Sequence, residues 1–209
     1  MTVLSQILEH KIVAIIRGAN PDDVLKIAEA LHEGGVKILE VTLNSANALE
    51  VIEQLSIAMK DKMLIGAGTV LDAASVRSAI NAGAQFVISP HFNIDVIKTT
   101  KELGAVSIPG AYTPTEIVNA FNNGGDIIKV FPASSNVNYI KEVRAPLPQI
   151  PLMPTGGITL ENIAAFQKAG AVAFGIGTAL VNTKEKITGA YFKQLTETAR
   201  KFVQIITSF

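Results

Sequence analysis

Short apolar runs rich in β-branched residues alternate eight times with longer segments along this chain. Each run predicts a β-strand, and the runs lie at residues 12–16, 38–43, 63–67, 86–88, 105–108, 127–130, 151–153 and 172–176. Many of the intervening segments carry apolar residues three and four positions apart, which predicts amphipathic helices at 21–33, 46–59, 73–81, 94–103, 114–122 and 160–168. Eight strand–helix units favour a parallel sheet closed into a (β/α)8 TIM barrel, with one α/β domain over residues 1–209.

Residues typical of helix ends support this order. Glycines follow five of the predicted helices, where a left-handed C-cap is common, at Gly34-Gly35, Gly83, Gly104, Gly124-Gly125 and Gly170. Asn20 before Pro21, and Thr113 before Pro114, stand where helix N-caps are expected. An open doubly wound sheet is the competing architecture, but it usually has fewer strands and a glycine-rich turn after the first one.

Composition limits the classes of partner. The chain is 48% hydrophobic and 17% charged with a mean hydropathy of +0.35, which is enough apolar material for one packed core. Lys plus Arg equals Asp plus Glu at 18 each, so the basic excess that would hold nucleic acid or an anionic membrane is absent from the sequence. The chain has no cysteine, no signal-like start and no long apolar window. We therefore expect a cytoplasmic protein that acts on a small molecule, without disulfides or thiolate chemistry.

Lys129 lies inside the apolar strand predicted at 127–130. Burial disfavours the protonated form of an amine, so this lysine is expected to be close to neutral. Only an unprotonated amine attacks a carbonyl group, which makes Lys129 a candidate nucleophile. The alternative is a structural lysine paired with a buried carboxylate.

Glu40 interrupts the second predicted strand. The two-residue period of a strand assigns alternate residues to opposite faces, with Ile38, Glu40 and Thr42 on one face and Leu39, Val41 and Leu43 on the other. The carboxylate therefore points into the barrel, where an unpaired charge costs several kcal/mol and a cationic or proton-exchanging partner is expected. Lys129 is the natural partner, either as half of a proton-exchanging pair or as half of an inert salt bridge.

Glycine-containing loops follow the last two predicted strands. Gly156 and Gly157 come after the seventh strand, and Gly177 with Thr178 comes after the eighth. In barrels, the loops at these positions often bind phosphate through backbone N–H groups, which glycine allows an anion to approach closely. Ordinary helix-entry turns are the alternative explanation.

Further polar residues are predicted at the same rim. Thr69, after the third strand, offers a hydroxyl for a substrate carboxylate or carbonyl oxygen, unless the small residues before it serve close helix packing. Arg17 ends the first strand and could hold a carboxylate or phosphate, or cover the barrel mouth as a surface residue. His10, His32 and His91 do not cluster in the sequence, and no metal-ligand spacing is present, so neither a metal nor another cofactor is expected.

Several motifs, taken in order, resemble the family of 2-keto-3-deoxy-6-phosphogluconate (KDPG) and 4-hydroxy-2-oxoglutarate (KHG) aldolases. The motifs that carry this resemblance are Glu40, Gly66-Ala67-Gly68-Thr69, Ser89-Pro90, Pro109-Gly110, Lys129-Val130-Phe131-Pro132 and Pro154-Thr155-Gly156-Gly157. The resemblance implies a homotrimer of barrels, free of cofactors, that cleaves a phosphorylated 2-oxo sugar acid to pyruvate and glyceraldehyde 3-phosphate, as in the Entner-Doudoroff pathway.

The resemblance also implies roles for individual residues. Lys129 would be the Schiff-base lysine and Glu40 the general acid and base. Thr69 and Thr155 would hold the pyruvate end, and Pro90 and Phe131 would form walls of the pocket. Phosphate would be bound by Gly156, Gly157, Gly177 and Thr178.

One position departs from the gluconate-specific pattern. Those family members carry an arginine just past the second strand, where this chain has Asn44. The sequence Leu43-Asn44-Ser45 instead resembles the 2-keto-3-deoxy-6-phosphogalactonate branch, which leaves the choice of C4 epimer open. Our hypothesis is that Arg17 supplies the missing positive charge.

Two other function classes remain at this stage. A phosphate-binding barrel isomerase or epimerase would share the predicted phosphate loops, and so would a non-enzymatic sugar-phosphate binding module. A buried lysine together with a buried carboxylate favours the aldolase, because a binding module has little need of that pair.

Overall fold

The computed structural model describes residues 1–134 and 136–208. Its strands are β1 (Ile12–Ile16), β2 (Ile38–Thr42), β3 (Leu64–Gly68), β4 (Phe86–Ile88), β5 (Val106–Ile108), β6 (Gly110–Ala111), β7 (Ile128–Val130), β8 (Leu152–Pro154) and β9 (Phe174–Ile176). Its helices are α1 (Val3–His10), α2 (Pro21–Glu33), α3 (Ala48–Ala58), α4 (Ala73–Asn81), α5 (Ile94–Glu102), α6 (Pro114–Asn122), α7 (Val137–Arg144), α8 (Ile163–Lys168) and α9 (Gly189–Thr207). The single-domain prediction for 1–209 stays a prediction, and positions 135 and 209 lie outside the described residues.

The strands are parallel and follow one another around a barrel. One sheet runs β5-β4-β3-β2-β1-β9 and a second runs β6-β7-β8. The chain passes from β5 to β6 through Pro109, so these two short strands together occupy one strand position of the barrel. On the opposite side, Thr155 bridges to Gly175 of β9, and Val172 N donates to Leu152 O at 3.0 Å. These contacts close a ring of eight strand positions, which confirms the predicted barrel.

Alternate strand residues enter two different apolar clusters. The inner cluster fills the lower lumen with Ile7, Val13, Ile38, Leu64, Phe86, Ile88, Val106, Ile108, Ile127, Met153 and Ala173. The outer cluster lies between strands and helices and includes Leu39 and Val41. Ile38 therefore faces the lumen and Leu39 and Val41 face the helices, as the two-residue period predicted. Ile7 comes from α1, which places this helix across the amino-terminal end of the lumen.

Three helices were absent from the predicted set. They are α1, α7 and α9, and each begins at a side-chain N-cap, provided by Thr2, Asn136 and Thr188. The longest of them, α9, packs against α2, because β1 and β9 are neighbours in the barrel. Thr196 donates its hydroxyl to Ala30 O at 3.0 Å across this contact.

The predicted glycine C-caps are confirmed with one refinement. Gly83, Gly104 and Gly170 all have positive φ. In the pair after α2, Gly35 has φ +93°, whereas Gly34 has φ −74° and ordinary helical geometry. Gly34 is instead needed for close packing, since a Cβ there would overlap the Cβ of Ala199 on α9.

Candidate active site

Glu40 lies in the middle of β2 and faces the lumen, between Ile15 of β1 and Gly66 of β3. Its side chain is buried, with 1% of the residue exposed. Neither carboxylate oxygen accepts a hydrogen bond from any described residue. A Cβ at Gly68 would overlap this carboxylate, so glycine at that position makes room for the acid. A buried carboxyl group without a hydrogen-bond donor is unusual and marks a group kept for chemistry rather than stability.

Lys129 lies in the middle of β7, paired in register with Gly110 of β6 and Met153 of β8. It is 3% exposed and also points into the lumen. Its Nζ lies 5.0 Å from the centroid of the Phe131 ring, two residues further along the chain. The aromatic ring therefore covers one side of the amine.

Glu40 and Lys129 influence each other's pKa without forming an ion pair. Burial raises the pKa of Glu40, and the positive charges of Lys129 and Arg17 oppose that rise only partly. Burial lowers the pKa of Lys129, which the Glu40 charge opposes and the Arg17 charge reinforces. Glu40 and Lys129 form no ion pair within 4.0 Å, so the inert salt bridge considered above is not formed.

This electrostatic arrangement has a direct chemical meaning. Desolvation favours a neutral amine, which is the nucleophilic form, and a protonated carboxyl group, which can donate a proton. Because Glu40 and Lys129 form no ion pair with each other, both groups remain available to a substrate in the lumen. Attack on a carbonyl followed by proton transfers is the chemistry that such a pair can perform.

A cavity of about 610 Å³ opens at the carboxyl ends of the strands. The predicted site residues that line it are Arg17, Phe131, Thr155, Gly156, Gly157, Gly177 and Thr178. These residues come from loops after β1, β7, β8 and β9, which are neighbours around one arc of the barrel mouth. The structure brings these predicted residues together at one side of the barrel mouth.

The glycine loops have the openness that anion binding needs. Gly156 and Gly157 have φ values of +88° and +76°, a region that other residues rarely adopt. A Cβ at Gly177 would meet no atom within 4 Å, so its backbone is accessible from the cavity. Asn162 holds the loop in place by donating to Gly157 O at 2.7 Å.

Three other predicted residues lie on the opposite arc of the mouth. Asn44, Thr69 and Pro90 follow β2, β3 and β4 and do not line the 610 Å³ cavity. Asn44 is exposed, while Thr69 and Pro90 are half-buried. Thr69 has φ +55°, a conformation uncommon for a β-branched residue. His91 is also exposed and does not line this cavity.

Hydrogen bonds connect the loops after β1 and β2. Thr42 and Ser45 share a hydrogen bond of 3.0 Å between their hydroxyls, and Gly18 N donates to the Ser45 hydroxyl at 2.9 Å. Thr42 is fully buried on the same strand face as Glu40. This network holds the chain beside Arg17 in a defined position.

Sequence reasoning missed the loop between β9 and α9. Lys184, Thr183 and Asn182 all line the cavity, and the Thr183 hydroxyl donates to Arg17 O at 2.8 Å. The side-chain oxygen of Asn182 accepts from Lys184 N at 3.3 Å. A basic residue six positions after Thr178 was the available signal, and it was overlooked because this stretch has no strand or helix periodicity.

Comparison with known sequences identifies the family of this chain. The sequence pattern described as "Aldolase: KDPG and KHG aldolase" matches residues 3–196. The chain belongs to the KDPG and KHG aldolase family. The resemblance predicted from the motifs is therefore confirmed, and the enzyme is a Schiff-base aldolase, a lyase.

Relatives come from both epimer branches of the family. The chain is 34% identical to the 2-dehydro-3-deoxy-6-phosphogalactonate aldolase of Escherichia coli K12, over 84% of this chain and 87% of the relative. It is 38% identical to the 2-dehydro-3-deoxy-phosphogluconate aldolase of Haemophilus influenzae, over 77% and 76%. Among solved structures, the KDPG aldolase of Legionella pneumophila holds pyruvate as a covalent carbinolamine, with a TM-score of 0.84, 27% identity, and coverage of 95% and 97%.

Neither a metal-binding cluster nor a membrane-spanning helix is found among the described residues. No group of three or more His, Asp or Glu side chains within 1–134 and 136–208 is arranged to hold a metal ion. No helix in that part of the chain is long and apolar enough to cross a bilayer.

Proposed function

We propose that this enzyme cleaves 2-keto-3-deoxy-6-phosphogluconate to pyruvate and glyceraldehyde 3-phosphate, with 4-hydroxy-2-oxoglutarate as a further substrate. The observation that carries the proposal is the buried amine of Lys129 and the buried carboxyl group of Glu40, which share one lumen but do not pair. Family membership supports the choice of a 2-oxo acid substrate.

In the proposed cycle, the neutral amine of Lys129 attacks the C2 ketone and forms a carbinolamine. Glu40 transfers protons as this intermediate loses water and becomes an iminium ion, which accepts electrons from the bond to be broken. Glu40 then removes the C4 hydroxyl proton through a water molecule, the C3–C4 bond breaks and the aldehyde leaves. The enamine of pyruvate is reprotonated, and hydrolysis releases pyruvate and the free amine.

The two arcs of the mouth suggest a division of binding roles. Thr69 and Thr155 are proposed to hold the pyruvate end, while Pro90 and Phe131 form walls of the pocket. Gly156, Gly157, Gly177 and Thr178 are proposed to bind the phosphate, on the arc where glycine opens the backbone. Lys184 adds a positive charge beside that subsite.

The Lys184 assignment can be tested with a matched control. Lys184→Gln should raise KM for the phosphorylated substrate about tenfold and leave KM for 4-hydroxy-2-oxoglutarate unchanged, because only the former carries a phosphate. Lys186→Gln, two residues away on the same loop, should change neither, since Lys186 does not line the cavity. Equal effects of the two substitutions would reduce the role of Lys184 to general surface charge.

Arg17 is proposed to replace the arginine that gluconate-specific members have at the position of Asn44. Arg17 lines the cavity, whereas Asn44 does not, and the charge of Arg17 reaches both Glu40 and Lys129. Arg17→Ala should therefore weaken pyruvate binding. Unchanged affinity for pyruvate in that variant would rule the hypothesis out.

The galactonate epimer is the second candidate substrate. It is favoured by Leu43-Asn44-Ser45 and by the similarity to an aldolase named for that epimer. Pyruvate release from the two epimers, measured side by side in a coupled lactate dehydrogenase assay, decides between them. The epimer with the larger kcat/KM is the substrate.

Borohydride trapping tests the reaction class. Reduction in the presence of pyruvate should attach a pyruvate-derived group to Lys129, detectable by mass spectrometry of the peptide. Lys129→Met should prevent the modification, and Lys98→Met, at an exposed lysine on α5, should not. An unmodified Lys129 in the wild-type enzyme would rule out this residue as the Schiff-base lysine.

We also propose that the enzyme is a cytoplasmic homotrimer of the Entner-Doudoroff pathway, as the family resemblance implies. Sedimentation equilibrium should then give a mass near three times the 22.1 kDa of one chain. A monomeric mass would refute the trimer without affecting the assigned chemistry.

A further inference from the structure

A second cavity, of about 690 Å³, lies at the opposite end of the barrel from the substrate cavity. The residues that define it come just before four successive strands: His10 before β1, Lys37 before β2, Lys62 before β3 and Gln85 before β4. His32, at the end of α2, lines the same cavity. His10 and His32, far apart in the sequence, thus line one cavity, because parallel strands bring their amino ends to one rim.

Positive charge is concentrated in this cavity. Lys37, Lys60 and Lys62 line it together with a single carboxylate, Asp61. None of these four residues forms an ion pair within 4.0 Å in the described part of the chain. The whole chain has equal numbers of basic and acidic residues, so the excess is local.

Two other side chains of the cavity each leave a donor group available. Lys37 Nζ lies 3.1 Å from His32 Nδ1, and since an ammonium group can only donate, this ring nitrogen accepts and Nε2 carries the hydrogen. Gln85 Oε1 accepts from Ile65 N at 3.3 Å, which leaves the NH2 group of that amide as a donor. His32 and Gln85 therefore add two donors to the three lysine side chains of the cavity.

The charge state of His32 is consistent with this geometry. Burial lowers the pKa of His32, and the positive charges of Lys37 and Lys62 lower it further. The charges of both lysines therefore reach the His32 ring. An anion in the cavity would relieve this repulsion and accept from the surrounding donors.

We propose that this amino-terminal cavity is a binding site for a small multivalent anion of the phosphate class, separate from the substrate cavity. Lys37, Lys62 and the His32 ring would contact the anion. The proposal does not depend on which sugar acid the enzyme cleaves, since it uses none of the residues of the substrate cavity.

His10 and His32, which line the cavity, allow the proposal to be tested by NMR. Inorganic pyrophosphate, added at constant ionic strength, should shift the ring resonances of His10 and His32 saturably and raise the apparent pKa of His32. His91, an exposed histidine that follows β4 at the other end of the barrel, is an internal control for effects that are not specific to this cavity. Glucose 6-phosphate in a parallel titration shows whether free or organic phosphate binds more tightly.

Charge-removing variants complete the test. Lys37→Gln combined with Lys62→Gln should weaken pyrophosphate binding at least about tenfold, and the exposed Lys62→Gln alone should weaken it less. Lys98→Gln, on the outer surface of α5, should bind as the wild type does. Shifts reproduced by sodium chloride, a response of His91 alone, or full affinity in the double variant would each overturn the proposal.

Discussion

The lumen of this barrel has two halves built from the same strands. In the amino-terminal half, Ile38, Ile127 and Met153 belong to the apolar inner cluster. Two residues further along the chain from each of these lie Glu40 of β2, Lys129 of β7 and Thr155, which directly follows β8. One step of the two-residue period thus changes the lumen from a packed core to a reactive surface.

The comparison shows how stability and chemistry are separated in space. Each large apolar side chain buried in the amino-terminal half stabilises the fold by about 1.5–3 kcal/mol. The carboxyl-terminal half instead buries a carboxyl group without a hydrogen-bond donor, together with an amine, both of which destabilise the fold when charged. Substitutions in the two halves should therefore have opposite consequences.

The largest expected effect is that of Lys129→Met. Without the amine no Schiff base forms, and kcat should fall by at least about four orders of magnitude. The variant should be as stable as the wild type or more so, because an apolar side chain of similar length replaces a buried amine. Steady-state assays and thermal unfolding measure the two quantities, and an active variant would contradict the role of Lys129.

Glu40→Gln should slow turnover by roughly two to four orders of magnitude, since the amide retains the shape of the side chain but cannot transfer protons. Pyruvate should still bind. Single-turnover kinetics would locate the loss in the proton-transfer steps, and a normal kcat would exclude Glu40 as the acid and base.

Phe86→Ala tests the amino-terminal half. Phe86 is fully buried, and its ring fills the space where a side chain at Gly66 would lie. Truncation should lower the free energy of unfolding by about 3–5 kcal/mol, while kcat per folded molecule stays within a few-fold of the wild type. Chemical denaturation measures the stability; a large loss of kcat with little loss of stability would show that the two halves are not separable.

The smallest effect concerns pH. The folded-state pKa of Glu40 is raised above its ordinary value of 4.5, so the folded protein binds more protons than the unfolded chain between those two values. Stability is therefore lost as the pH rises through this window, with a slope of at most about 1.4 kcal/mol per pH unit. Glu40→Gln lacks this term, so its stability relative to the wild type should increase from about pH 4.5 upwards. Urea titrations at several pH values measure the difference, and a constant difference would mean that the carboxyl group is not shifted.

Local patterns in the sequence predicted much of the fold. The strand runs and the inward direction of Glu40 follow from a two-residue period that neighbouring residues determine. Helices α1, α7 and α9 were missed because none of them is followed by the glycine that marks the ends of five predicted helices. The role of Gly34 in packing against Ala199 depends on residues far apart in the chain, which no local pattern reveals.

The same distinction applies to the sites. Lys129 and Glu40 could be singled out because each interrupts an apolar run. The sequence did not reveal whether they pair, because that depends on the diameter of the closed barrel. Lys184 and the pairing of His10 with His32 in one cavity also depend on barrel closure, since each residue precedes or follows a different strand.

The close approach of Glu40 to Gly68 makes substitutions at positions 40 and 68 depend on each other. The carboxylate of Glu40 occupies the volume in which any side chain at 68 would begin. Libraries that vary position 68 alone will therefore recover mostly glycine, whereas a shorter acid at 40 would make alanine at 68 acceptable. Substituting the two positions jointly is the way to move the acid within the lumen and so to change which substrates the enzyme accepts.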